Sequence, residues 1–107
     1  MKIGYARVST ITQNLDSQIH ALKQVNCEKI IIEQASGSVA NREELTKAKN
    51  HTLRSGDTFV VWRLDRLGRS LKDLIGWMDW FAMNSIGFES ISEGINTNNS
   101  TGKLFVH

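Results

Sequence analysis

Proline is absent from all 107 residues, so no helix is interrupted by a missing backbone donor, and the turns must be made by Gly, Asn and Ser. A single cysteine, Cys27, excludes an internal disulfide, and no Cys and His spacing reads as a zinc site. The opening residues have no signal-peptide core, and no apolar run nears the roughly 20 residues that span a bilayer, so a cytoplasmic protein is expected. An excess of one charge is also lacking: 13 Lys and Arg face 11 Asp and Glu, and a net +2 does not by itself demand a nucleic-acid partner. There is no P-loop and no Gly-x-Gly-x-x-Gly turn. What is present, 40% hydrophobic and 22% charged residues, is the composition of one ordinary globular unit rather than of a disordered chain or coiled coil.

Ile3 and Tyr5 at period 2, with Val8 after them, predict a first strand running into the polar Ser9-Thr10. Thr12 is placed to cap a helix whose Leu15, Ile19, Leu22 and Val25 form one stripe, ending near Asn26. Ile30-Ile31-Ile32 is short and β-branched, which predicts a buried parallel strand. A mobile loop at Ala35-Ser36-Gly37-Ser38 precedes a charged helix from about Asn41 to Leu53. Thr58 to Trp62 reads as a third strand, and a helix from about Ser70 carries Leu71, Leu74, Ile75, Met78 and Ala82 on one face. Phe88, Ser90 and Ile91 suggest a fourth strand. The alternation predicts a three-layer α/β sandwich whose mostly parallel central sheet of four or more strands is flanked by helices.

In such sheets reactive groups gather at the carboxyl ends of the strands. Two clusters fall there. Arg7 and Ser9, two apart at the end of the first strand, share a side, and Arg66 and Arg69 share a face if the turn after the third strand is helical. A hydroxyl beside several guanidinium groups suits phosphoryl transfer, because planar bidentate donors match the negative oxygens of the transition state at any working pH. A Ser-His-Asp arrangement is weakly supported, since His20, His51 and His107 all fall far from Ser9 in this topology. Each element also has a plainer role. A Ser after a strand caps a helix or turn, arginines on a polar face are solvated, Asp65 is an ion-pair partner, and Trp62 belongs to the core.

Five blocks narrow these alternatives: Tyr5-Ala6-Arg7-Val8-Ser9-Thr10; Gln13-Asn14-Leu15-Asp16 with Gln18; Ala35-Ser36-Gly37; Asn41-Arg42; and Leu64-Asp65-Arg66-Leu67-Gly68-Arg69-Ser70. In order and spacing they closely resemble the catalytic domain of serine site-specific recombinases, the resolvase/invertase family, over essentially the whole chain. Asn26 to Ile30 and Val60 to Trp62 look most like the DNA invertase branch. The resemblance implies that Ser9 attacks a DNA phosphodiester, forming a phosphoserine link to the 5′ end and releasing a 3′ hydroxyl. It also implies that Arg7, Arg66, Arg69 and Arg42 hold the scissile phosphate, that Gln18 and Ser36 line the same pocket, and that Asp65 donates a proton to the leaving oxygen or orients it. No cofactor, metal or nucleotide is implied. The implied partners are DNA and further copies of the chain, a homodimer and a synaptic homotetramer in the full-length protein.

Two departures stand out. Family members run on from the segment like Ser100 to Val106 into a long dimerisation helix and a helix-turn-helix domain. Residues 1–107 are therefore expected to be a catalytic domain cut where that helix starts, folded but not competent alone. The second is Trp80, which the stripe centred on Leu74 and Met78 turns almost to the opposite side of its helix, as an exposed ring available to a partner or a neighbouring loop. Two other functions share the pattern: a non-catalytic phosphate-binding or regulatory module, and a truncated partner that poisons intact recombinase.

Overall fold

The structure, a computed structural model, describes residues 1–8, 15–34, 43–68 and 70–97. In chain order the elements are β1 (Lys2–Val8), α1 (Leu15–Gln24), β2 (Lys29–Gln34), α2 (Glu43–Lys47), which widens into a π-helical turn over Ala48–Thr52, and β3 (Thr58–Val61). A 3-10 turn (Leu64–Arg66), α3 (Leu71–Met83), β4 (Gly87–Ser90) and β5 (Ile95–Asn96) follow. The strands form one sheet in the order β2-β1-β3-β4-β5, parallel except for β5, which runs antiparallel to β4. This is the expected three-layer α/β architecture. β5 is the addition, because two residues carry no readable period.

Alternation along β1 sorts the core into two layers. Ile3 and Tyr5 face the same side as Phe59, Val61 and Phe88, and there they meet Leu45 and Ala48 of the α2 segment and Phe81 of α3. Ala6 and Val60 face the other side, against Leu22 of α1 with Val25 and Cys27 at its edge. The first layer is knitted by aromatic contacts, Tyr5 to Phe59 at 5.7 Å and Phe59 to Phe81 and Phe81 to Phe88 both at 5.5 Å between ring centroids. Helix α1 approaches closely over Gly4, where a Cβ would lie 3.1 Å from both Leu22 methyls and from Cys27 Sγ. Asn26 ends α1 in the left-handed region at φ 67°, a conformation Asn tolerates better than most residues.

Three sequence expectations need correction. Of the predicted α3 stripe, Leu74 and Met78 do pack on the core, joined by Trp77 and Phe81, but Leu71 and Ile75 are 74% and 51% exposed and Ala82 is exposed too, while Phe81 is 2% exposed. The larger rings decide the rotation, since Trp and Phe bury more apolar surface than Leu, Ile and Ala. Trp80 is thereby brought half under cover, edge-on to Trp77 at 6.0 Å and to Phe81 at 5.6 Å, with Lys49 Nζ 5.4 Å above its ring. Finally, β2 is an edge strand, so Ile30 and Ile31 are only partly covered and Ile32 is exposed. The Thr12 cap, the loop at 35–38 and the apolar residues from Leu104 lie outside the described residues.

Candidate active site

From β1 the chain steps outward to β2 through α1 on one face, then crosses back to β3 and on to β4 through helices on the other. The direction reverses between β1 and β3, and in open α/β sheets the crevice beyond the carboxyl ends at such a switch point is where ligands gather. Arg7 is the penultimate residue of β1, and the Leu64–Arg66 turn that follows β3 packs against β1. Arg7, Asp65 and Arg66 are therefore placed at the same end of the sheet. Ser9, Ser36, Arg42 and Arg69 lie outside the described residues. The 3-10 turn covers Leu64–Arg66, and the expected shared face of Arg66 and Arg69 lies outside the described residues.

Arg7 is held by its backbone. Pairing of β1 with β3 ends at Tyr5 opposite Val61, and beyond it the carboxamide of Gln18 replaces the missing strand: Arg7 N–H donates to Gln18 Oε1 and Gln18 Nε2 donates to Arg7 O, both at 3.2 Å. Gln18 is fully buried, so its amide is committed to this pair. Arg7 is 9% exposed, and its Nε is buried with no hydrogen-bond partner among the described residues. A dry guanidinium donor without a protein acceptor is suited to an anion.

On the facing side, the guanidinium carbons of Arg63 and Arg66 lie 4.8 and 5.6 Å from the centroid of the Trp62 ring. The indole is thus a shelf for cations, not simply a core residue. Asp65, 53% exposed on its side chain, divides its carboxylate between Arg63 Nη2 at 3.3 Å and Arg66 Nη1 at 3.8 Å. Such exposed ion pairs contribute about 0–1 kcal/mol, enough to orient but not to anchor. The anchor is Leu67, fully buried in the main core.

Sequence reasoning passes over Glu33 and Tyr5 as site residues. Glu33, opposite Arg7 in the ladder and almost fully buried, accepts the Tyr5 hydroxyl at 2.5 Å and the backbone N–H groups of Glu44 at 3.0 Å and Leu45 at 3.4 Å. It thereby ties the start of α2 to the end of β2. Only the β1–β2 register places that carboxylate there, although its place in an otherwise apolar strand is a signal. Arg63 is also passed over, and its three-residue spacing from Arg66 is the available clue. Among the described residues no three His, Cys, Asp or Glu side chains converge as a metal site requires.

The parallel sheet, with arginines placed at its switch point, defines a class of α/β domain, and comparison with known proteins specifies the family. Residues 2–107 match the family model described as Resolvase, N terminal domain, and the chain belongs to that family. It is 44% identical over 105 residues to the DNA-invertase hin of Salmonella typhimurium, covering 98% of this chain and 55% of that protein. It is 48% identical over 109 residues to the transposon Tn552 DNA-invertase BinR of Staphylococcus aureus, covering 100% of this chain and 56% of that one. The chain thus spans little more than half the length of these relatives. Among solved structures, the N-terminal catalytic domain of TP901-1 integrase superimposes with a TM-score of 0.75 at 29% identity, over 99% of this chain and 88% of that one.

Proposed function

We propose that this chain is the catalytic domain of a serine recombinase that cuts and rejoins DNA in site-specific inversion or resolution. Ser9 Oγ attacks a backbone phosphorus, the Oγ–P bond forms as the P–O3′ bond breaks, and a proton passes to the departing 3′ oxygen as the serine loses its own. The bond energy stays in the phosphoserine, so the reverse attack by a 3′ hydroxyl rejoins DNA without a nucleotide. Arg7, Arg66, Arg69 and Arg42 hold the phosphate, and Asp65 orients the arginines or the leaving oxygen. Ser36 lines the pocket, and Gln18 serves it indirectly by fixing the backbone of Arg7. DNA and further copies of the chain, as dimer and synaptic tetramer, are the partners, and the cytoplasm is the compartment.

The observation that carries this reading is Arg7 at the switch point, almost buried, with its Nε unpartnered among the described residues, and two residues before Ser9 in sequence. The test incubates the full-length parent protein with a duplex carrying a 3′-bridging phosphorothiolate at the scissile position, whose thiol leaving group returns poorly. A covalent adduct mapping to Ser9 and lost in Ser9→Ala is expected. An adduct on Thr10 or Ser36, or full reactivity of Ser9→Ala, refutes the assignment, and phosphate binding with no adduct favours a non-catalytic module.

A further inference from the structure

We infer that Glu93 is a positioning residue for the arginine turn, acting from the β4–β5 connection through the backbone of Leu64; this rests on the reading of Arg7 and Arg66 as phosphate ligands. The 3-10 turn Leu64–Arg66 is only three residues long, and its N-cap residue, Arg63, provides no side-chain cap. Its internal hydrogen bonds are Arg66 N–H to Arg63 O at 3.1 Å, Leu67 N–H to Leu64 O at 2.9 Å and Gly68 N–H to Leu64 O at 3.1 Å, and none of them engages Leu64 N–H. So short a turn does not hold its own geometry. Glu93, 29 residues downstream, supplies the missing cap: Leu64 N–H donates to its carboxylate, 3.3 Å from Oε1 and 3.4 Å from Oε2.

The carboxylate is itself fixed. Fully buried Ser90 donates its hydroxyl to Glu93 Oε1, and the backbone beside it is laced to the end of β3, with Ile91 N–H on Val61 O at 3.0 Å and Ser92 N–H on Trp62 O at 2.9 Å. Three successive residues of the connection, 91 to 93, thus hold the Val61–Leu64 segment that leads into Asp65 and Arg66. A negative charge at the start of a helical turn is also favourable to that turn. For the anion site it is unfavourable, since a carboxylate near the arginines repels phosphate. The two effects oppose one another and can be separated.

Glu93→Gln removes the charge and keeps one acceptor for Leu64 N–H, whereas Glu93→Ala removes both. The probe is inorganic pyrophosphate titrated into the isotopically labelled chain, read by NMR at the Arg7 and Arg66 side chains, with hydrogen exchange at Leu64 N–H. Leu64 N–H is expected to exchange at least tenfold faster in Glu93→Ala than in Glu93→Gln. Pyrophosphate should bind at least fivefold more weakly to Glu93→Ala than to Glu93→Gln. Equal affinity in the two variants overturns the positioning role, whatever the exchange rates. If the unmodified chain binds pyrophosphate without a response at Arg7 and Arg66, the phosphate reading fails and the role falls with it, while Leu64 exchange still reports whether the cap exists.

Discussion

Replacing Gln18 by Leu is the most direct test of how this site is held. The two side chains are similar in size, so the packing of α1 on the sheet is largely kept, but Arg7 N–H and C=O lose their partners in a place water does not reach. Each buried backbone group left unpaired costs about 1–3 kcal/mol. The more apolar leucine returns about 1–2 kcal/mol, leaving a net loss of roughly 2–3 kcal/mol. For a chain of this length that lowers the melting temperature by about 10 °C or more. Gln18→Glu adds a pH axis. A buried carboxyl has its pKa raised above the unfolded value of about 4.3. When protonated it can accept from Arg7 N–H and donate to Arg7 O, as the amide does. Its stability is therefore close to that of the parent below the unfolded value and is lost as pH rises through the folded one. Thermal and urea melts from pH 4 to 8, with hydrogen exchange at Arg7 N–H, measure all of this. A Gln18→Leu chain as stable as the parent, with Arg7 N–H still protected, would falsify the strand-replacement argument.

Arg66→Lys should slow formation of the Ser9 adduct about a hundredfold, because a point charge on a flexible stem reproduces neither bidentate donation nor the packing on Trp62; unchanged rates in single-turnover assays would remove Arg66 from the phosphate site. Phe81→Ala should cost about 3–5 kcal/mol in urea melts and Leu71→Ala less than about 0.5, and the reverse order would restore the stripe beginning at Leu71. Burial pushes the Cys27 thiol from its ordinary 9.0 up to about 11, Lys2 pulling it back slightly and Glu89 adding to it. At pH 8 alkylation should therefore run about a hundredfold slower than for a free thiol. The same shift gives stability that is present below pH 9 and is lost as pH climbs through 11, so melts across that interval should fall in the parent more than in Cys27→Ala.

The layer order was legible because it rests on period: β1 alternates, the α1 stripe repeats every third or fourth residue, and β3 is an unbroken apolar run. The placing of Arg7 and Arg66 at one end of the sheet was legible because strand ends in a parallel sheet converge whatever the details. Features that depend on register were hidden. Gln18 reads as an ordinary polar residue on a helix until β3 is seen to stop short of Arg7. Glu33 acquires three donors only when Leu45 is brought across from α2, and Glu93 caps a turn 29 residues away. The rotation of α3 was misjudged because counting apolar positions weighs Leu71 and Trp77 alike, whereas the area each can bury does not.

The capping of α2 by Glu33 also has a kinetic side. Five α-helical residues are far too few to persist alone, and the first backbone donors of this helix are satisfied by a carboxylate that sits on a different strand. That carboxylate is in place only once β2 has closed against β1, a contact between residues 26 apart in sequence, such as Arg7 and Glu33. Helix α2 is therefore expected to form only after β2 has joined β1. In pulse-labelled refolding, protection at Glu44 and Leu45 should arrive together with the β1–β2 ladder and never ahead of it. Glu33→Gln should accelerate unfolding while leaving the folding rate nearly unchanged.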